Sequence, residues 1–289
     1  MREILNNYNY TPNNEELDKQ LSLIQSNLDN WVTESNLKDC LGYMDLTSLN
    51  SSDTPEKIAN LTHKVNNFND VYKGYPTPAS ICVYPNLGEI VRKNLTAKGV
   101  NVTVVGGVFP NSQSFLDVKI LECKTAVERG ADEVDIVLAL NSFLAGDYDK
   151  AANEIREIKK AIGDKHLKVI LETGALGSAE KIAAASFLAM EAGADFIKTS
   201  TGKQEPAATP MAAIVMCECI KVFYEKTGKK IGFKPAGGMV APKDAICYLA
   251  IVDTILGKEW LSAEYFRLGA SRLANNILSE LEQQTVSYY

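Results

Sequence analysis

Two lysines and one aspartate stand near the expected ends of strands, and their types suit covalent chemistry at a carbonyl. In the run ADFIKTSTGK, strand alternation puts Phe196, Lys198 and Ser200 on one face and Ile197 and Thr199 on the other. If Ile197 packs under helices, Lys198 points inward, where desolvation lowers an amine pKa and frees the neutral form that attacks a carbonyl. A lone strand lysine is more often an ion-pair partner or a side chain reaching for solvent, so a second lysine matters. Lys234, in GFKPAGG, ends another strand-like run, and a neighbouring cation favours the neutral form of Lys198. From a pKa of ~10.4, where about one amine in two to three thousand is free at pH 7, a fall to ~7–8 gains roughly a few hundred-fold or more in nucleophile. Asp135, in ADEVDIVLAL, shares its face with Glu133 and Val137 and should also point inward. There it would balance the lysines and, with a water, move protons during carbinolamine formation, dehydration and enamine protonation. The plainer alternatives are anion binding alone for Lys234 and a structural ion pair for Asp135.

Small-residue turns follow the late strands: Ser200-Thr201-Gly202-Lys203, Gly237-Gly238 and Gly269-Ala270-Ser271. Free backbone amides and a helix N-terminus at such turns suit a phosphate, and Lys203 adds a point charge. Metal chemistry has little to draw on, since only His63 and His166 are present. The six cysteines are scattered without a C-x-x-C pair and read as reduced packing residues, including Cys217 and Cys219 inside a helical apolar pattern.

The elements that must position these groups are legible as an alternation. From Leu41 onward, β-branched runs (LGYMDL, SICVY, NVTVVGG, EVDIVL, LKVILE, DFIKTS, KIGFKPAGG and EYFRLGA) alternate with segments of helical period. About eight strands, with polar residues at several separate strand ends, predict a (β/α)8 TIM barrel rather than an open doubly wound sheet. Residues 1–38 are polar, with Leu17, Leu21, Ile24 and Leu28 at helical intervals, and predict an N-terminal helical extension lying outside the core; residues 39–289 form the barrel and a C-terminal tail. The chain has 289 residues and a formal net charge of −6, which leaves no basic footprint for nucleic acid. No apolar run reaches the length of a membrane span, and the N-terminus lacks a signal-peptide core, so a cytoplasmic protein is expected.

Together these residues resemble the deoxyribose-phosphate aldolase family. The matching segments are MDLTSLN (44–50), ICVYP (81–85), EVDIV (133–137), LKVILETG (167–174), FIKTSTGK (196–203), GFKPAGG (232–238) and LGAS (268–271), in family order. The resemblance implies reversible cleavage of 2-deoxy-D-ribose 5-phosphate to D-glyceraldehyde 3-phosphate and acetaldehyde, with no metal or organic cofactor. It implies Lys198 as the Schiff-base lysine, Lys234 as the neighbour that depresses its pKa, and Asp135 as the proton-relay carboxylate. Gly202, Lys203, Gly237, Gly238 and Ser271 fall where the family holds phosphate, and Asp45, Thr47 and Leu49 match its first-strand pocket segment. The tail, Ser287-Tyr288-Tyr289, resembles members whose terminal tyrosine reaches the active site, which would make Tyr289 a proton-transfer group. A homodimer is expected from family habit and from the frequency of two-fold assemblies. Three features depart from the pattern: Arg272 follows Ser271 where a second serine is common, the GGVFPNSQS loop is altered, and the N-terminal extension is long. The competing readings are another Schiff-base barrel, of transaldolase or fructose-phosphate aldolase type, and a barrel that only binds a sugar phosphate. The KTSTGK and KPAGG pair speaks against the first, and Asp135 beside both lysines against the second.

Overall fold

A computed structural model describes all 289 residues. Its eight strands are β1 (Met44–Thr47), β2 (Ser80–Val83), β3 (Asn101–Val105), β4 (Glu133–Val137), β5 (His166–Ile170), β6 (Phe196–Lys198), β7 (Gly232–Lys234) and β8 (Leu268–Ala270). All pair in parallel in the order β7-β6-β5-β4-β3-β2-β1-β8. Parallel bridges from Phe233 to Phe266 and from Ala236 to Gly269 close the ring between β7 and β8. Each of the eight runs singled out in the sequence overlaps one of these strands.

The strands are buried on both faces, but the two faces differ in chemistry. Outward residues such as Leu46, Ile81, Val102, Val104, Val134, Ile136, Leu167, Val169, Ile197 and Phe233 join one continuous apolar cluster with the surrounding helices. Burial of that area drives the association of helices with sheet. The inward residues include Asp45, Ser80, Thr103, Glu133, Asp135, Lys168, Lys198, Lys234 and Arg267, all at 3% exposure or less. A barrel interior is ordinarily packed with Val, Ile and Leu. A charged interior costs desolvation that apolar packing would avoid, so its presence marks a place where stability yields to function.

The connecting helices begin and end where their residue types say they should. The helix Pro210–Thr227 starts with Pro at its first turn and with the Thr209 hydroxyl accepting the Ala212 N–H at 3.2 Å. It ends on Gly228, whose φ of +71° is costly for any residue with a Cβ.

The N-terminal region is several short elements rather than one helix: Arg2–Asn7, Asn14–Ser26, a 3-10 turn at Leu28–Trp31, and Glu34–Gly42. It lies outside the barrel but not outside the core, which corrects the sequence expectation. Leu17, Ile24 and Leu28 are buried in the same apolar cluster as the outer strand faces. The Tyr8 ring stacks on Phe187 at 4.0 Å while its hydroxyl donates to Glu191 at 2.7 Å. Tyr10 donates to Glu218 at 2.5 Å, so the segment covers the outer helices after β5 and β6. No helix is long and apolar enough to cross a membrane.

Candidate active site

Strand register brings the charged side chains together. Lys198 is the Cα partner of Lys234 across β6 and β7, and Asp135 is the partner of Lys168 across β4 and β5. Asp135 is the hub: Oδ2 accepts from Lys198 Nζ at 2.8 Å and from Lys234 Nζ at 2.7 Å, while Oδ1 accepts from Lys168 Nζ at 3.0 Å. Lys234 also pairs with Asp45 Oδ2 at 2.5 Å. One layer lower, Lys168 meets Glu133 Oε2 at 2.5 Å, and Arg267 reaches Asp45 Oδ1 at 2.6 Å and Glu133 Oε1 at 2.8 Å.

The three lysines differ in partners and therefore in proton affinity. Burial pulls the Lys234 ammonium down, but Asp135 and Asp45 pull it further up, so it stays charged. Lys168 is likewise lowered by burial and raised more by Asp135, Glu133 and Asp45. Lys198 has one carboxylate partner; burial lowers its pKa, Asp135 opposes this, Lys234 reinforces it, and the net direction is down. Burial raises the Asp45 carboxyl, but Lys234, Arg267 and Lys168 outweigh it and bring it to about 2. Asp135 is pushed up by burial and further down by its three lysines, so it is ionised at neutral pH.

Access separates Lys198 from the others. A cavity of about 360 Å³ opens over the C-terminal ends of the strands and is lined by Lys198 but by neither Lys168 nor Lys234. Its walls hold Thr47, Leu49, Gly202, Lys203, Gly237, Gly238 and Ser271, all anticipated from the sequence, together with Arg272. Asp45 belongs instead to the buried layer beneath, against Lys234.

The glycines in this wall answer to geometry. Gly202 and Gly237 have φ of +72° and +78°, and a Cβ on Gly237 would lie 2.9 Å from the Cα of Gly202. Only bare backbones let the two turns approach this closely. Ser271 precedes the helix Arg272–Glu282, whose N-terminus faces the same cavity without a side-chain cap. Lys203 Nζ donates to the Leu49 carbonyl at 2.6 Å, tying the loop after β6 to the segment after β1. Glu172, at a φ of +53°, accepts from the Thr201 hydroxyl at 2.6 Å and holds that loop from the other side.

Tyr289 is not brought to Lys198. It lies at 5.7 Å from Phe68 in a stacked arrangement, and its backbone N–H and carbonyl are both bonded by the Asn275 side chain at 2.9 Å. Its hydroxyl is buried without a partner, and the residue borders a neighbouring cavity of about 470 Å³ that shares Thr47, Ser271 and Arg272 with the first.

Sequence reasoning gave no role to Lys168, Glu133 or Arg267. The signal was present, because alternation that sends Leu167, Val169 and Leu268 outward sends Lys168 and Arg267 inward. What was missing was any indication that a third and a fourth cation would converge on the same carboxylates.

A closed parallel barrel that keeps one buried amine of lowered proton affinity at the floor of an anion-suited cavity has the equipment of a Schiff-base aldolase. The chain belongs to the DeoC/LacD family of aldolases, whose model matches residues 40–250. It is 44% identical over 255 residues to the deoxyribose-phosphate aldolase of Homo sapiens, covering 84% of this chain and 78% of the relative. The corresponding figures for the Bos taurus deoxyribose-phosphate aldolase are 42% over 255 residues, 83% and 78%. Among solved structures, the aldolase QR15 superposes with a TM-score of 0.69 at 28% identity, covering 85% of this chain and 97% of that one.

Proposed function

We propose that the protein cleaves 2-deoxy-D-ribose 5-phosphate reversibly to D-glyceraldehyde 3-phosphate and acetaldehyde, with Lys198 as the Schiff-base nucleophile. The observation that carries this reading is that, of three lysines on one aspartate, only Lys198 opens into the cavity. Neutral Lys198 attacks C1 of the open-chain aldehyde, and loss of water from the carbinolamine leaves an iminium. Removal of the C3 hydroxyl proton then breaks the C2–C3 bond, and its electrons neutralise the iminium as an enamine. Glyceraldehyde 3-phosphate departs, the enamine takes a proton at C2, and hydrolysis releases acetaldehyde. Asp135, with a water, is the relay for these protons, and charged Lys234 favours the neutral form of Lys198. Gly202, Lys203, Gly237, Gly238 and Ser271 hold the phosphate, while Thr47 and Leu49 line the sugar.

Borohydride reduction in the presence of deoxyribose 5-phosphate or acetaldehyde, followed by peptide mass spectrometry, tests the reading directly. An adduct on Lys198 is expected. An adduct on Lys234 would reverse the two roles, and substrate binding without an adduct would leave a barrel that only binds sugar phosphate.

Two further results bear on the periphery of the site. Lys203→Ala is expected to raise KM for the phosphorylated sugar by roughly tenfold or more, since a charge-assisted contact contributes about 1.5–3 kcal/mol. Unphosphorylated deoxyribose should be little affected, and equal losses on both substrates would remove the phosphate role. Tyr289 reaches the reacting carbon in this proposal only after the tail leaves the Asn275 side chain. Its buried, partnerless hydroxyl, on a residue that borders a cavity with Thr47 and Ser271, supports that movement. Tyr289→Phe is expected to lower kcat by about 10²-fold, the scale of one proton-transfer group, with KM nearly unchanged; an unaltered kcat would make the tail structural.

A cytoplasmic setting belongs to the same proposal and is supported by six unpaired, buried thiols. Homodimeric assembly, proposed from the prevalence of two-fold oligomers, is checked by sedimentation.

A further inference from the structure

The barrel interior holds an unequal number of opposite charges. Asp45 from β1 and Glu133 and Asp135 from β4 are the carboxylates; Lys168 from β5, Lys198 from β6, Lys234 from β7 and Arg267 immediately before β8 are the cations. All seven are at 3% exposure or less. The remaining inward groups at this depth are neutral: the Cys82 thiol, raised by its burial, and the Ser80 and Thr103 hydroxyls. Above the layer, Glu172 is also buried, but its carboxylate accepts from the Thr201 N–H and hydroxyl and meets none of the four cations; exposed Lys203 donates to the Leu49 carbonyl, and half-exposed His166 stands 3.8 Å from Glu133 at the base.

Water can screen little of this, so an unbalanced positive charge in the layer is costly and one cation is driven to release a proton. Arg267 cannot supply it, because a guanidinium does not titrate in a protein. Lys168 and Lys234 each meet two carboxylates at 3.0 Å or less, whereas Lys198 meets one. The group that yields is therefore the one open to the cavity.

We propose that Arg267 is a positioning residue for the nucleophile: its fixed charge, two carboxylates away from Lys198, makes the fourth cation one too many and so keeps Lys198 neutral. The inference rests on the proposed role of Lys198 as nucleophile. Arg267 touches neither the cavity nor Lys198; it bridges Asp45 and Glu133, meeting Asp45 on the oxygen that Lys234 leaves free and sharing Glu133 Oε2 with Lys168, and the ring of Phe196 lies 5.8 Å from both the Arg267 guanidinium carbon and Lys168 Nζ. With Arg267 absent, three cations would face three carboxylates and Lys198 would balance the layer by keeping its proton. Asp45 and Glu133, released from the guanidinium, would also attract the remaining ammonium groups more strongly. Both effects raise the proton affinity of Lys198.

The test is the pH dependence of kcat/KM for deoxyribose 5-phosphate cleavage in the intact protein, with borohydride adduct mapping at each pH. For Arg267→Met the acid limb is expected to move to higher pH by one unit or more, giving about a tenfold or larger loss at neutral pH that shrinks as the pH is raised. Arg267→Lys keeps a charge and should retain the wild-type limb. The double variant Arg267→Met/Glu133→Gln removes one charge of each sign and should return the limb toward its original position. If Arg267→Met does not fold, the double variant and Arg267→Lys carry the test: a limb displaced in either overturns the proposal. A uniform loss at all pH values in Arg267→Met, with the limb unmoved and the adduct still on Lys198, would reduce Arg267 to a structural role. An adduct missing from Lys198 in the wild type would instead refute the nucleophile assignment, and the inference would fall with it.

Discussion

Replacing Lys198 by leucine abolishes both turnover and the borohydride adduct while leaving the fold intact. Loss of the attacking amine removes the covalent route, and the expected fall in kcat/KM is on the order of 10⁴-fold or more. Stability should move the other way from the usual outcome of a core substitution. Lys198 is the surplus cation of the layer, with a single carboxylate contact at 2.8 Å, so an apolar side chain there leaves three cations on three carboxylates. A melting temperature equal to or above that of the wild type is the expected reading. Residual turnover within tenfold of the wild type would exclude Lys198 as nucleophile. A collapse of thermal stability would show that the ammonium holds the layer together.

Lys234→Leu has the second largest expected effect, and its sign follows from the same charges. Lys234 is the only other lysine on Asp135 Oδ2, at 2.7 Å, and it also occupies Asp45. Removing it takes away the neighbouring cation that opposes protonation of Lys198 and frees two carboxylate oxygens that favour protonation. The proton affinity of Lys198 rises, and each unit of that rise lowers the neutral amine about tenfold at pH well below its pKa. A loss on the order of 10²–10³-fold at neutral pH is expected, with partial recovery on the alkaline side. Recovery should be less complete than for Arg267→Met, because Lys234 also fixes Asp135, the proposed proton relay. Wild-type rates with an unmoved acid limb would end the electrostatic role of Lys234.

The parts of this protein that follow a period were legible in one dimension. Every strand appears in a run of β-branched and apolar residues, and the parity of those runs correctly sends Ile197 and Val134 under the helices and Lys198 and Asp135 inward. The wall of the cavity was equally legible, because Gly202, Gly237 and Gly238 announce turns of positive φ and Ser271 a helix start. The N-terminal region was harder. Its apolar spacing gave helix, but neither the breaks at Tyr8 and Asn27 nor the docking of Tyr8 on Phe187 could be read from composition. Tertiary partners a hundred or more residues away decide such contacts, and no local pattern encodes them.

By itself, then, the amino-acid sequence determined the eight-stranded parallel barrel, the inward lysines and aspartate, and the aldolase family to which they belong. Alternation and turn chemistry are local rules, and motifs carry family membership. Tertiary structure alone decided which lysine is the accessible one, that Lys168 and Arg267 join the same carboxylates, and where the tail docks. Closure of the barrel superimposes residues from five strands within hydrogen-bonding distance of one another, and the proton affinity of each then depends on the sum of its neighbours' charges. That sum is a property of three-dimensional distance, which strand parity constrains in direction but not in magnitude.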